Sequence, residues 1–181
     1  RGYAHGLSAD LHLLDWLEVK GFAYDVVTDH DLHERGADLL LPYRAVITGG
    51  HPEYWTGPML NALEQYQAGD GRLMYVGGNG FWGVVSVDSC RPHVMELRRV
   101  HTNGFIWQAP GGEYYHSTTG EPGGQWRNRG RSPNAVSGVS CTSVGSDQAM
   151  PYRRQPGSFD PRAAFIFAGI GDEEVIGDFG L

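Results

Sequence analysis

The 181-residue chain carries 14 Lys and Arg against 21 Asp and Glu, a formal net charge of −7. That balance excludes a non-specific nucleic-acid binder with a basic face. Hydrophobic residues at 40% and charged residues at 19% support a sizeable core and exclude wholesale disorder, and no apolar run approaches the ~20 residues of a membrane-spanning helix. Cys90 and Cys141 are the only thiols in the sequence. They are too few for a disulfide framework or a thiolate zinc cluster, so a reducing cytoplasm is the expected compartment. The 27 glycines and 12% aromatics favour tight turns and ring-lined surfaces over long helices. The chain opens at Arg1 rather than Met and closes just after a strand-like run, so it reads as a segment of a longer protein.

Ser8 is a good N-cap, and Leu11, Leu14 and Leu17 follow at helical spacing, with Leu13 and Trp16 widening the stripe. Gly21 supplies the stop. Residues 22–28 (FAYDVVT) read as a strand, and residues 29–41 as a loop with a short polar helix. Residues 45–48 (AVIT) form a short buried strand that runs into Gly49 and Gly50. Thr56 caps a second helix with Pro58 in its first turn and Met59, Leu60, Leu63 and Tyr66 on one side; Gly69 and Gly71 end it. Residues 72–76 (RLMYV) form the next strand. This alternation predicts an α/β fold with a mostly parallel sheet covered on both faces. Residues 1–100 form the regular part and 94–100 a further strand candidate. Residues 101–135 read as a long Gly- and aromatic-rich structured loop. Beyond it, 135–144 and 163–170 (AAFIFAGI) are expected strands, all within a single domain.

In an open parallel sheet, ligands bind beyond the C-terminal ends of the strands. Thr48-Gly49-Gly50-His51-Pro52-Glu53-Tyr54-Trp55 and Gly77-Gly78-Asn79-Gly80-Phe81-Trp82 occupy that position, so His51, Glu53 and Asn79 are expected to face one crevice. Alternate residues of extended chain point the same way, which lets His51 and Glu53 converge. Imidazole and carboxylate can bind metal or move protons; equally, His51 can cap a backbone group while Glu53 favours the start of the next helix. Gly78-Asn79-Gly80-Phe81-Trp82-Gly83 fits the dinucleotide-binding template, but Val84-Val85-Ser86-Val87-Asp88 does not continue as the helix that template needs. There is no G-x-S-x-G elbow, and the two cysteines read as small buried hydrophobes. Asp29-His30-Asp31-Leu32-His33 has ligand types in quick succession, which a polar helix start explains equally well. The EYYH and EPGGQWR stretches at 113–116 and 121–127 either line a pocket or pack the loop.

Three stretches resemble the large subunit of N,N-dimethylformamidase and its relatives: ADLHLLDWLEVKGFAYDVVTDHDLH, GGHPEYWTGPMLNALEQYQAGDGRLMYVGGNGFW and GEYYHSTTGEPGGQWR. The likeness runs from about Ala9 to about Arg131, with HPEYW and GGNGF its specific marks. It implies a flavodoxin-like sheet of the class I glutamine-amidotransferase type, with Asn79 where the amidotransferase cysteine would stand. It also implies hydrolysis of a small N-substituted amide, such as dimethylformamide, to an amine and formate at one mononuclear ferric iron. Glu53 matches the glutamate ligand, while the two tyrosine ligands are expected outside this chain and do not transfer to Tyr3, Tyr24, Tyr43 or Tyr54. His51 and Asn79 match active-site residues, for proton transfer and for hydrogen bonding to the substrate oxygen. Trp55, Phe81 and Trp82 are the expected apolar cage for N-methyl groups. The implied partners are the amide, the remainder of the large subunit and, as a further candidate, a small subunit, in an oligomer without nucleic acid or membrane. The competing reading is a non-catalytic amidotransferase-like binding or assembly module.

Overall fold

A computed structural model of the chain describes residues 6–100, 113–140 and 151–177. The chain divides into two compact units, residues 1–141 and residues 142–181. The first is mixed α/β. Helix α1 (Leu7–Lys20) ends on Gly21 in the left-handed conformation, whose N–H bonds the Glu18 carbonyl. Its N-cap is Gly6 rather than the expected Ser8; the positive φ of Gly6 breaks the chain there, so Ser8 lies within the first turn. Helix α2 (Asp29–Arg35) opens on a capping box in which Thr28 accepts from the Asp31 N–H and the Asp31 carboxylate bonds back to Thr28.

Strand β1 (Ala45–Ile47) pairs in parallel with β3 (Arg72–Met74). Between them the chain forms β2 (Tyr54–Trp55) and helix α3 (Gly57–Ala68). β4 (Gly83–Val87) pairs in parallel with β2 and antiparallel with β5 (Met95–Leu97). The parallel β1–β3 pair, linked through α3, follows the predicted alternation, but the described strands form two small sheets rather than one layered sheet. Among the described residues no helix is long and apolar enough to cross a membrane.

α3 organises the core. Thr56 caps it by accepting from the Met59 N–H, and Met59, Leu60, Leu63 and Tyr66 are buried, as the spacing predicts. Trp55, Phe81, Val84 and Trp126 join them. Full burial of each such side chain is worth about 1.5–3 kcal/mol. The Tyr66 hydroxyl satisfies itself on the Tyr43 carbonyl at 2.9 Å.

Three predicted strands are corrected. Residues 22–28 form no strand and pair with no strand among the described residues. Residues 133–137 form a short helix, α4 (Pro133–Ser137), because Pro133 suits a first helical position and Gly138 ends the turn at φ 77°; residues 141–144 of that prediction lie outside the described residues. In the second unit, residues 163–170 are successive tight turns, not a strand. The Asp160 carboxylate accepts from the Arg162 N–H at 2.8 Å, Pro161 starts a 3-10 turn, and i+3 bonds carry on through Ile166 and Phe167. Phe159 and Phe167 of this unit pack under the Arg154 guanidinium, at 4.1 and 4.5 Å from the ring centroids.

The described part of the long loop is tied to β5 by one carboxylate. Glu96 accepts from the N–H groups of Ser117 and Thr118, both at 3.0 Å, from their hydroxyls, and from Arg98 Nε at 2.6 Å. Burial raises its pKa, but these donors outweigh burial and hold the carboxyl well below the ordinary range. A carboxylate with a depressed folded pKa adds stability above its unfolded value and loses it as pH falls toward the folded one. Glu96→Gln is therefore expected to lower the melting temperature of the full-length protein at neutral pH, with the difference from wild type closing as pH drops below about 4. Melting curves across that range check it; a constant difference would contradict the assignment.

Candidate active site

Both predicted segments follow the C-terminal ends of parallel strands, and the backbone laces them together. After β1, the Thr48 N–H bonds the Met74 carbonyl at 3.0 Å, and the Thr48 hydroxyl accepts from the Val76 N–H at 3.3 Å. Further on, the N–H groups of Gly78 and Phe81 donate to the Gly50 and Pro52 carbonyls at 3.2 and 2.9 Å. Those of Trp82 and Gly83 share the Glu53 carbonyl at 3.0 and 2.8 Å. Asp10, which no motif marks, reaches from the first turn of α1 to accept from the Gly50 N–H at 2.5 Å.

Glycine is required at Gly77. A Cβ there would stand 2.6 Å from Pro52 Cδ and 2.7 Å from the carbonyl oxygens of Gly49 and Gly50. Backbone carbonyls cannot swing aside, so Gly77→Ala is expected to destabilise the paired turns by about 1–3 kcal/mol. At Gly78 the nearest atoms to an added Cβ are 3.9 Å away, on His51, so Gly78→Ala is the tolerated control. Thermal inactivation of the two full-length variants measures the contrast.

Within the first segment the Glu53 N–H bonds the His51 carbonyl at 2.8 Å, and this tight turn brings the two side chains together: Nδ1 of the imidazole lies 3.3 Å from Glu53 Oε2. The Glu53 side chain is 12% exposed and that of His51 37%, a carboxylate largely withdrawn from water beside an accessible ring. The Cδ2–Nε2 edge of His51 faces Gly78, which places the turn carrying Asn79 against the nitrogen not directed at Glu53. Asn79 and Phe81 both adopt left-handed backbone, at φ 52° and 58°. Two such non-glycine residues within three positions mark a turn held in shape by its surroundings. The Gly80 N–H helps to hold it through the Tyr75 hydroxyl at 2.8 Å.

Trp55 and Phe81 are buried in the core with ring centroids 4.8 Å apart, and Trp55 Nε1 bonds the Pro52 carbonyl at 2.6 Å. They support the HPEY turn from beneath, while Trp82 is half-buried. The EPGGQWR stretch packs rather than lining a cleft: Trp126 is buried and its Nε1 bonds the Trp55 carbonyl at 3.0 Å. The ligand types in 29–33 serve structure, since Asp31 caps α2 and His33 Nδ1 meets the Thr56 hydroxyl at 2.9 Å. Cys90 is exposed, not buried as expected, in the turn where its N–H bonds Asp88; Cys141 lies outside the described residues. Gly83 opens β4 and no helix follows, which removes the dinucleotide template.

Three phenols have raised pKa values. Burial and the Glu53 charge raise the pKa of Tyr54, whose hydroxyl also accepts from Arg99 at 3.1 Å. Tyr24 and Tyr43 are raised chiefly by donating to Glu18 and Asp25; Tyr3 lies outside the described residues. Among the described residues no group of three or more His, Cys, Asp and Glu side chains converges as a metal cage.

The family described as N,N-dimethylformamidase beta subunit-like, C-terminal, matches residues 1–180. The chain belongs to that family. It is 47% identical over 175 residues to the N,N-dimethylformamidase beta subunit of Paracoccus aminophilus, covering 97% of this chain and 23% of the relative. It is 46% identical, with the same coverage, to the N,N-dimethylformamidase beta subunit of Alcaligenes sp. The chain thus spans about a quarter of the length of these relatives, and the turns described above lie within the matched C-terminal region.

Proposed function

We propose that this chain supplies part of the active site of an iron-dependent amidohydrolase, which converts small N-substituted amides of the N,N-dimethylformamide type to an amine and formate. The 3.3 Å pairing of His51 with Glu53 beyond the ends of the parallel strands carries this reading, and the names of the relatives support it. A hard ferric ion prefers anionic oxygen donors, and the sheltered carboxylate of Glu53 fits that preference. No three-residue cage of His, Cys, Asp and Glu forms among the described residues, and the chain is read as the donor of one ligand, the tyrosinates coming from the rest of the large subunit. When bound, such an ion supplies Lewis-acid activation of the carbonyl or of water.

A carboxylate has two oxygens, so Glu53 can hold the ion with one and orient His51 Nδ1 with the other. That orientation assigns the Nδ1 proton to the Glu53 side and leaves Nε2 as the working nitrogen. Nε2 takes a proton as water adds to the amide carbon, then returns it to the departing nitrogen, so that amine and formate leave with the proton count balanced. The Asn79 amide donates to the oxygen that gains charge in the tetrahedral intermediate. The half-buried Trp82 ring faces the N-methyl groups, with Trp55 and Phe81 as its rigid floor. Elemental analysis and the visible spectrum of the purified full-length protein test this: iron near one per chain with a tyrosinate charge-transfer band is expected. A colourless, iron-free but active protein would overturn it, and an inactive one would favour a binding module.

A further inference from the structure

The turn that carries His51 is gripped from outside its own segment at Gly50, the residue just before it. The Gly50 carbonyl accepts from the Gly78 N–H at 3.2 Å. The Gly50 N–H donates to Asp10 Oδ1 at 2.5 Å, across 40 residues of sequence. Gly50 is thus held at both ends of its backbone, to the turn bearing Asn79 through one bond and to α1 through the other. Immediately beyond it, the Glu53 N–H returns to the His51 carbonyl at 2.8 Å and closes the tight turn whose entry Asp10 sets.

Packing makes the same contact. A Cβ at Gly49 would stand 3.0 Å from Asp10 Oδ1, and one at Gly50 3.3 Å from Ala9 Cβ. The first turn of α1 therefore rests directly on the two glycines. A carboxylate suits this place on two counts: acidic groups are favoured in the first turn of a helix, and a charged acceptor holds an N–H more firmly than a neutral one. Among the described residues Asp10 forms no salt bridge, and the Gly50 N–H is the one hydrogen-bond partner of its side chain. A carboxylate that served α1 alone would cap the helix's own N–H groups; this one reaches across to the turn.

We propose that Asp10 is a positioning residue for His51, fixing the entry to the His51–Glu53 turn through the Gly50 N–H so that Nε2 is presented toward the Asn79 turn. The assignment rests on the reading of His51 as the proton carrier, and Asp10 itself touches neither amide nor metal. Its loss leaves His51 and Glu53 in the chain but lets the imidazole wander from the reacting atoms. Supporting hydrogen bonds of this kind are worth about 10–100-fold in activity, and the loss falls on kcat because the contact aligns the proton transfer rather than binding the amide.

Asp10→Glu in the full-length protein is the most informative variant. It keeps the negative charge at the start of α1 but carries the acceptor one methylene past the Gly50 N–H. Its melting temperature and iron content are expected to stay close to wild type while kcat falls about 10–100-fold with KM little changed. Asp10→Ala is expected to show at least the same loss of kcat, and Asp10→Asn, which keeps an acceptor oxygen at the same reach, to recover most of it. Hydrogen exchange at the Gly50 amide is expected to be at least about 10-fold faster in the Glu and Ala variants than in wild type. A kcat within about twofold of wild type in each of the Glu and Ala variants that folds overturns the proposal. So does an Asn variant no better than Ala, with the losses following melting temperature alone. Exchange needs no substrate: a wild-type protein without iron or turnover would count against the proposed function, and the Gly50 amide would then judge Asp10 by itself, unchanged exchange overturning the assignment.

Discussion

Glu53→Gln in the full-length protein is expected to lose most of the proposed iron and, with it, the proposed turnover of the amide. The substitution keeps the side chain's volume and its place beside His51 but removes the negative charge. Outer-shell partners of a metal cost about 10–100-fold in affinity when lost, so an anionic ligand should cost at least about 100-fold. His51→Gln is the informative contrast. It leaves the carboxylate in place, so iron content and the visible band should persist while kcat falls by about 10²–10⁴. The 3.3 Å spacing makes the two residues neighbours, and a merely structural pair would show the same loss for both. Elemental iron, the visible spectrum and kcat at saturating amide separate the roles. Glu53→Gln retaining iron and turnover would remove Glu53 from the metal.

What could be read from the sequence was what is locally encoded. The α3 cap at Thr56 and its buried stripe rest on spacing within the helix, and both are present; the glycine turns at 49–50 and 77–80 are marked by the sequence, but the close approach that requires Gly77 is to Pro52, Gly49 and Gly50, more than twenty residues away. His51 does meet Glu53, but for another reason than the expected alternation: the Glu53 N–H bonds the His51 carbonyl at 2.8 Å, and this three-residue turn, not extended chain, brings the side chains together. Residues 22–28 have strand composition, but pairing requires a neighbour that local sequence does not supply. At 163–170 the same composition gave a wrong prediction for another reason: the Asp160 carboxylate and Pro161 fix a turn, and i+3 bonds propagate it. Burial was also hard to read. Trp55, Phe81 and Trp82 look alike as a ring cluster, yet only the indole–carbonyl bonds of Trp55 and Trp126 show which rings belong to the core. Asp10 had no signal beyond a place in the first turn of α1, because its partner, Gly50, lies 40 residues on.

Asn79 tests whether a residue serves its turn or its substrate, because its backbone and its amide can be separated. At φ 52° the backbone lies in the left-handed region, which costs most non-glycine residues about 1–2 kcal/mol and asparagine less. Asn79→Gly removes that cost and the amide together, whereas Asn79→Ala removes the amide and adds strain. If the amide donates to the developing oxyanion, both variants should lose about 10²–10³ in kcat, with Gly at least as heat-stable as wild type and Ala less so. Asn79→Asp, which offers an acceptor where a donor is needed, should be no better than Gly. A Gly variant of full activity beside an impaired Ala variant would instead assign Asn79 to the turn alone. The proposed proton transfer by His51 would then lack its oxyanion partner, and the stabilising donor would have to come from elsewhere in the large subunit.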